Sequence, residues 1–204
     1  GAGGSILIGG ILRSHANTRA GMGGRILLAG SSIGVTSSGL VDASGGDIGG
    51  SVTGTSPGGI HVDLNLTDHG TIDVSANLTA GVIDLSAAPT GPVRVDGLLW
   101  APGTDAIGIG GTILLTAPAG FVVGGGGLLD VRGRSRAGNV VVTAGANIVV
   151  TPGTSATRGL IDASSPSSGG MITLTTNPVG DIDVGGTLTT EGTTSFGGGG
   201  AMVL

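Results

Sequence analysis

The apolar residues of this chain occur in short runs that alternate with polar or small residues and are separated by Gly. The segment Gly24–Gly46 holds three such runs, which are Ile26–Leu28, Ile33–Val35 and Leu40–Ala43. Side chains along these runs alternate with a period of two, which is typical of β-strands and not of helices. The segment is therefore predicted to contain three short strands joined by tight corners.

The same three-run unit repeats along the whole chain. A fixed period of this kind indicates a stacked repeat architecture. We call one repeat a coil, and its three runs the first, second and third strands of that coil. The first strand opens with Gly in every repeat, at a spacing of 26 to 32 residues: Gly24, Gly50, Gly81, Gly111, Gly138, Gly170 and Gly200.

Three short strands per coil, with Gly at the corners, predict an all-β fold, namely a right-handed parallel β-helix or solenoid. About seven coils are expected, with essentially no α-helix. Each coil would pair with its neighbours at a spacing of about 4.8 Å. The handedness follows from the general preference for right-handed crossovers between parallel strands. A β-sandwich is the alternative, but its strands would not keep a three-strand register over every coil.

The repeat pattern predicts a single β-helix domain over residues 1–204 that starts and ends in mid-coil. The first residues match second and third strands, and the last residues match a first strand alone. We expect the helix to continue past both ends, either within a longer chain or by head-to-tail stacking of copies. The apolar side chains expected at this end-to-end interface are Ile6, Ile8, Leu12, Met202 and Leu204.

The first residue of the third strand should point outward, yet it is aliphatic in most coils. An exposed apolar stripe of that length marks a partner surface, so we predict lateral packing on another copy or on another part of the same chain. Scattered exposed aliphatic residues on a β-rich surface are the alternative interpretation. The lateral stripe consists of Ile11, Leu40, Leu98, Leu128 and Leu160.

The amino-acid composition argues against several classes of function and of site. The chain has 46 Gly, 10% charged residues, no Cys and a net charge of −5. The acidic balance argues against nucleic acid as a partner. No apolar run reaches the roughly 18 residues of a membrane span, so the chain is not expected to cross a membrane. The absence of Cys removes disulfides and thiolate metal sites from consideration.

A second outward column, at the end of the third strand, is rich in carboxylates. Asp42 would stack on Asp73, and Asp130 on Asp162, about one coil spacing apart. Neighbouring carboxylates repel unless a cation lies between them, so these four are candidate Ca²⁺ ligands. The favoured interpretation is solvated surface Asp, and we expect no metal, cofactor or catalytic residue. A polysaccharide-cleaving site would need carboxylates set apart and interleaved with Lys or Arg.

The loops that return from the third to the first strand are the longest, and ligand contacts are most expected there. One of these loops contains Arg132, Arg134 and Arg136 in the sequence RGRSRAG. Their guanidinium groups could bind sulfate, phosphate or an acidic host or matrix glycan. A solvated basic loop without a ligand is the alternative.

The segments GGRILLAGSSIGVTSSGLVDASGG (residues 23–46) and GGMITLTT (residues 169–176) are similar to the repeats of filamentous-haemagglutinin-type exoproteins. The resemblance spans the whole chain at the level of the repeat. It implies a β-helical adhesin of a bacterial surface, many of which are secreted by the two-partner route. We therefore expect a non-enzymatic structural component of an extracellular bacterial fibre or surface adhesin. The alternative is a carbohydrate-binding or carbohydrate-cleaving β-helix that uses the loop edge and the Asp column.

Overall fold

The computed structural model describes residues 3–64, 68–153, 159–194 and 197–204, and every regular element among them is a β-strand. Its 21 strands form three parallel sheets, each with one strand from each coil. The predicted all-β solenoid is therefore confirmed. Each sheet has seven strands and hence six strand-to-strand steps, so the solenoid makes about six turns, slightly fewer than the predicted seven coils. No helix in the described part of the chain could span a membrane.

The strands of each sheet occupy the same place in successive coils. Sheet 1 holds the first strands, which are β3 (Arg25–Ala29), β6 (Ser51–Thr55), β9 (Val82–Ser86), β12 (Thr112–Ala117), β15 (Asn139–Ala144), β18 (Met171–Thr176) and β21 (Ala201–Val203). Sheet 2 holds the second strands, which are β1 (Ile6–Ile8), β4 (Ile33–Val35), β7 (Ile60–Val62), β10 (Val93–Val95), β13 (Phe121–Val123), β16 (Ile148–Val150) and β19 (Ile182–Val184). Sheet 3 holds the third strands, which are β2 (Ile11–Arg13), β5 (Leu40–Asp42), β8 (Thr71–Asp73), β11 (Leu98–Trp100), β14 (Leu128–Asp130), β17 (Leu160–Asp162) and β20 (Thr187–Thr189).

The interior of the solenoid is filled by columns of aliphatic side chains that stack like on like. In sheet 3, Leu99 pairs in register with Ile72 on one side and Leu129 on the other, and all three are buried. A coil cannot bury its own apolar face alone, so each depends on its neighbours for stability. The corresponding column of sheet 2 is completely buried over five coils: Val35, Val62, Val95, Val123 and Val150.

The Gly that opens each first strand is required because successive coils approach closely there. A Cβ atom on Gly138 would lie 1.8 Å from the carbonyl oxygen of Gly111 in the preceding coil. The N–H of Asn139 donates to that same carbonyl at 3.1 Å, which fixes the oxygen in place. The equivalent clash, at 1.8 to 2.2 Å, recurs through a column that we call the glycine ladder: Gly50, Gly81, Gly111, Gly138, Gly170 and Gly200.

The residues of the lateral stripe stack in one column of sheet 3, as their spacing predicts. Ile11 is 65% exposed, whereas the four Leu residues of the stripe are only half-buried. Thr71 interrupts the column, since it pairs with Leu40 on one side and Leu98 on the other. Lateral packing on this stripe stays a prediction.

Candidate functional site

The four Asp residues at the ends of third strands turn towards the backbone instead of facing solvent. The carboxylate of Asp130 accepts the N–H of Arg132 at 2.8 Å, and the other three accept the N–H of the residue two positions later in the same way. Asp42, Asp130 and Asp162 are buried, and Asp73 is half-buried. The expectation of solvated surface carboxylates is therefore wrong, because each side chain stabilises a corner of its coil.

Trp100 takes the place of Asp in the central coil. It pairs in register with Asp73 on one side and with Asp130 on the other. The residue two positions later is Pro102, which has no N–H to donate. A carboxylate at this position would lack the hydrogen bond that holds the other four. The half-buried indole instead lies beside the Arg132 guanidinium, whose central carbon is 5.8 Å from the ring centroid.

Arg132 is held between the carboxylates of two neighbouring coils. Its Nη2 lies 2.6 Å from Asp130 Oδ2, and its Nε lies 3.5 Å from Asp162 Oδ2. Burial raises the pKa of Asp130, although hydrogen bonds from Arg132 act in the opposite direction. The bond to Asp130 in turn raises the pKa of Arg132. The sequence offered Asp130 and Asp162 as candidate ligands of a Ca²⁺ ion. In the structure the Arg132 guanidinium supplies the positive charge between these two carboxylates.

A groove of about 420 Å³ opens beside the Trp100–Arg132 pair, on the loops that return to the first strand. Arg134 is exposed on its rim and forms no ion pair with any residue that the structure describes. Arg136 lines a different hollow, so two of the three predicted Arg residues meet here. Four coils contribute to the lining: Trp100, Pro102–Thr104, Arg132–Arg134, Ser164–Pro166 and Thr193.

A second cluster, on the outer face of sheet 2, contains His61, Asp63 and Asp96. The Nε2 atom of His61 lies 2.8 Å from Asp96 Oδ2 and 4.0 Å from Asp63 Oδ1. These three side chains offer ligand atoms within 4.8 Å of one another, as a divalent metal would require. However, Arg94 donates to Asp96 Oδ1 at 2.8 Å. The cluster therefore contains its own cation, and the hydrogen bond between His61 and Asp96 links two neighbouring coils.

No single repeat of the sequence predicts this cluster, because Asp96 lies one coil further along the chain than His61 and Asp63. Val62 pairs with Val95, so the residues that follow them, Asp63 and Asp96, are neighbours. The alignment of the second strands in the sequence therefore already places Asp63 and Asp96 next to each other. Burial alone would raise the pKa of Asp96, but hydrogen bonds from Arg94 and His61 lower it.

Asp42 and Asp73 stack directly on each other, and their pKa values shift in opposite directions. For Asp42, burial raises the pKa, but hydrogen bonds from Ser44 and the nearby Arg13 and His15 outweigh it, so the net shift is downward from 3.8. For Asp73, burial dominates and raises the pKa above 3.8, and the charge of Asp42 adds to the effect. Ionised Asp42 therefore stabilises the fold, whereas ionised Asp73 destabilises it.

We expect Asp73→Asn to raise Tm at pH 7, and Asp42→Asn to lower it, each by about 2 °C in a chain of this size. The stabilisation of the fold by ionised Asp42 is present at pH values above 3.8 and is lost as the pH falls through the lowered pKa of Asp42 in the folded chain. The destabilisation of the fold by ionised Asp73 is present at pH values above the raised pKa of Asp73 in the folded chain, and it disappears as the pH falls towards 3.8. Thermal melts at neutral pH and at a pH below both values test this. Changes in Tm of the same sign for the two variants at pH 7 would contradict this prediction.

The residues predicted at the end-to-end interface lie on the two terminal coils. Leu12 is 38% exposed, although Val41, its partner in the next coil, is completely buried. Met202 is 44% exposed, although its partner Ile172 is completely buried. These side chains point to the interior, and no described coil covers them. The remaining members behave similarly, since Ile6 and Ile8 are half-buried and Leu204 is exposed.

Comparison with known proteins adds no family to this architecture. No protein-family model, curated protein or solved structure matches this chain. What the strand pairing itself establishes is a β-solenoid built from sequence repeats.

Proposed function

We propose that this chain is a structural, non-enzymatic component of an extracellular bacterial fibre or surface adhesin, in which copies stack end to end by continuing the solenoid. The observation on which this rests is that the interior columns run to both terminal coils and lie uncovered there. The resemblance of the repeats to filamentous-haemagglutinin-type exoproteins supports the extracellular setting. Lateral packing on the stripe from Ile11 to Leu160 would add a second kind of contact between copies.

The two ends are complementary in strand position. At one end β1, β2 and β3 each have one edge without a strand partner, and at the other end β19, β20 and β21 do. A second copy placed beyond β21 would bring its β1 beside β19, its β2 beside β20 and its β3 beside β21. Unpaired strand edges are ready templates for pairing with another chain. Such a contact is head-to-tail and does not close on itself, so it generates a fibre.

The exposed interior side chains give this contact an energetic reason. Val184 at one end and Leu12 at the other are both 38% exposed, whereas their counterparts in the inner coils are fully buried. Stacking two copies would bury apolar surface from both terminal coils, at roughly 25 cal/mol for each Å² removed from water. It would also provide partners for the backbone groups of six edge strands.

Gly10, which precedes β2, allows the stacking to be tested without disturbing the fold. Gly39 occupies the same place one coil later, and a Cβ atom there would lie 2.2 Å from the carbonyl oxygen of Ile8. For Gly10 no described atom lies within 4 Å, so that no described coil covers this side of it. In a stacked pair, the last coil of the preceding copy would fill that space with backbone.

We expect Gly10→Ala to prevent end-to-end association while leaving the Tm of the single chain unchanged. Sedimentation velocity should show concentration-dependent oligomers for the unmodified chain and only monomers for the variant. Gly198→Ala is the matched control: a methyl group there contacts no described residue, and Ser168, its partner one coil earlier, carries a side chain at the same place inside the stack. The control should still associate. Monomers of the unmodified chain at every concentration would refute end-to-end stacking.

A further inference from the structure

We propose that the groove beside Trp100 binds an acidic saccharide, one that bears carboxylate or sulfate groups. This inference concerns the return loops and does not rest on the end-to-end stacking of copies. The groove volume of about 420 Å³ lies within the range of small-molecule sites. Such sites combine an aromatic or apolar wall with a few polar groups that fix the ligand, and the lining of this groove has both.

The wall of the groove is the Trp100–Arg132 pair, which is fixed before any ligand arrives. The Arg132 guanidinium is held at 2.6 Å by the completely buried carboxylate of Asp130 and also lies 3.5 Å from Asp162. It approaches the indole ring of Trp100 at 5.8 Å. Because these side chains are already ordered, a ligand that contacts them need not pay for ordering them. An amphipathic indole suits the C–H face of a sugar ring together with its hydroxyl edge.

Arg134 supplies the charge that selects an acidic ligand. The charge of Arg132 is compensated by its two carboxylates, but Arg134 has no such partner in the described ranges. Ser135 anchors this part of the loop, because its Oγ donates to the carbonyl of Ile107 at 2.9 Å. A guanidinium group binds carboxylate and sulfate groups through paired, charge-assisted hydrogen bonds.

The rest of the lining suits a sugar better than a compact anion. Thr104, Ser164 and Thr193 place hydroxyl-bearing residues along the groove, and they come from three different coils. Gly103 and Gly133 also line the groove. The hydroxyl-bearing residues are thus spread along the solenoid axis, as an elongated ligand with many hydroxyl groups requires.

The chain provides a probe of this groove by itself. It has one Trp and no Tyr, so its intrinsic fluorescence reports almost entirely on Trp100. We would titrate the full chain with oligogalacturonate, which is carboxylated, and with a heparin-derived oligosaccharide, which is sulfated. A neutral malto-oligosaccharide of similar length is the reference. We expect a saturable change in fluorescence with at least one acidic oligosaccharide and a much weaker response to the neutral one.

Two charge-matched variants separate the site from the general charge of the loop. Arg134→Gln should weaken the binding of the acidic oligosaccharide about tenfold, as expected when a hydrogen bond to a charged group is lost. Arg136→Gln removes the same charge two residues away, outside this groove, and should leave the affinity unchanged. Circular dichroism would check that both variants keep the fold.

The outcomes are distinct. Saturation by the carboxylated or by the sulfated oligosaccharide alone would support the proposal and identify which acidic group is preferred. The proposal is overturned if no acidic oligosaccharide gives saturable binding, if the neutral one binds equally well, or if the two Arg variants lose affinity to the same extent. None of these results depends on whether copies of the chain associate.

Discussion

Replacing Gly138 with Ala is expected to destabilise the solenoid by more than about 3 kcal/mol, the upper end of what overpacking usually costs. The added methyl group would lie 1.8 Å from the carbonyl oxygen of Gly111, which is backbone of the preceding coil and cannot rotate away. To relieve that contact the two coils must separate. Separation would lengthen the hydrogen bond that Asn139 donates to the same oxygen at 3.1 Å.

Denaturant unfolding followed by circular dichroism measures this effect. Gly198→Ala again serves as the control, because an added methyl group there contacts no described residue. We expect the control to stay within about 0.5 kcal/mol of the unmodified chain, as is usual for substitutions away from packed features. If Gly138→Ala were as stable as the control, the close stacking of coils at the glycine ladder would be wrong.

Phe121→Ala is expected to cost about 3–5 kcal/mol, the range for removing a buried aromatic side chain. Phe121 is completely buried and pairs in register with Val93 and Ile148, which are completely buried as well. The cavity would lie between coils whose backbones are held apart by sheet hydrogen bonds, so the surroundings can collapse only partly.

Val122→Ala is the matched control for this prediction. Val122 is the next residue of the same strand, but it points outward and is half-buried. Its replacement should lower the free energy of unfolding by no more than about 1 kcal/mol, since fewer contacts are lost. Equal losses for Phe121→Ala and Val122→Ala would mean that the two faces of this strand are assigned the wrong way round.

The sequence was sufficient to predict the fold, because one physical requirement recurs in every coil. Stacked strands must present the same apolar face at the same place, and Gly must stand wherever successive backbones approach closely. Both requirements leave periodic signals, and the pairing of Leu99 with Ile72 and Leu129 agrees with them. The number of turns was slightly overestimated, because strands were counted and not the steps between them.

The candidate site was predicted less well, because it depends on contacts between coils that no single repeat contains. The Asp residues were expected to face solvent, yet the carboxylate of Asp130 accepts a backbone N–H two residues later. The Asp-x-Ser spacing at Asp42 and Asp162 carried that signal. The Trp100–Arg132 pair joins neighbouring coils through residues that are 32 positions apart in the sequence, and only the register brings them together.

The central claim, that copies continue one another's solenoid, can be tested by a disulfide across the junction. The chain has no Cys. Leu7 and Asp183 are the middle residues of the first and last strands of sheet 2, and within one copy they are six strand steps apart, or about 29 Å. At a stacked junction they would be neighbours at about 4.8 Å, within the Cα separation that a disulfide allows.

The measurement is the oxidation of a Leu7→Cys, Asp183→Cys double variant, analysed under denaturing, non-reducing conditions. End-to-end continuation predicts a ladder of covalent oligomers that grows one chain at a time, whereas either single variant should stop at dimers. Only monomers from the double variant, or dimers like those of the single variants, would contradict it.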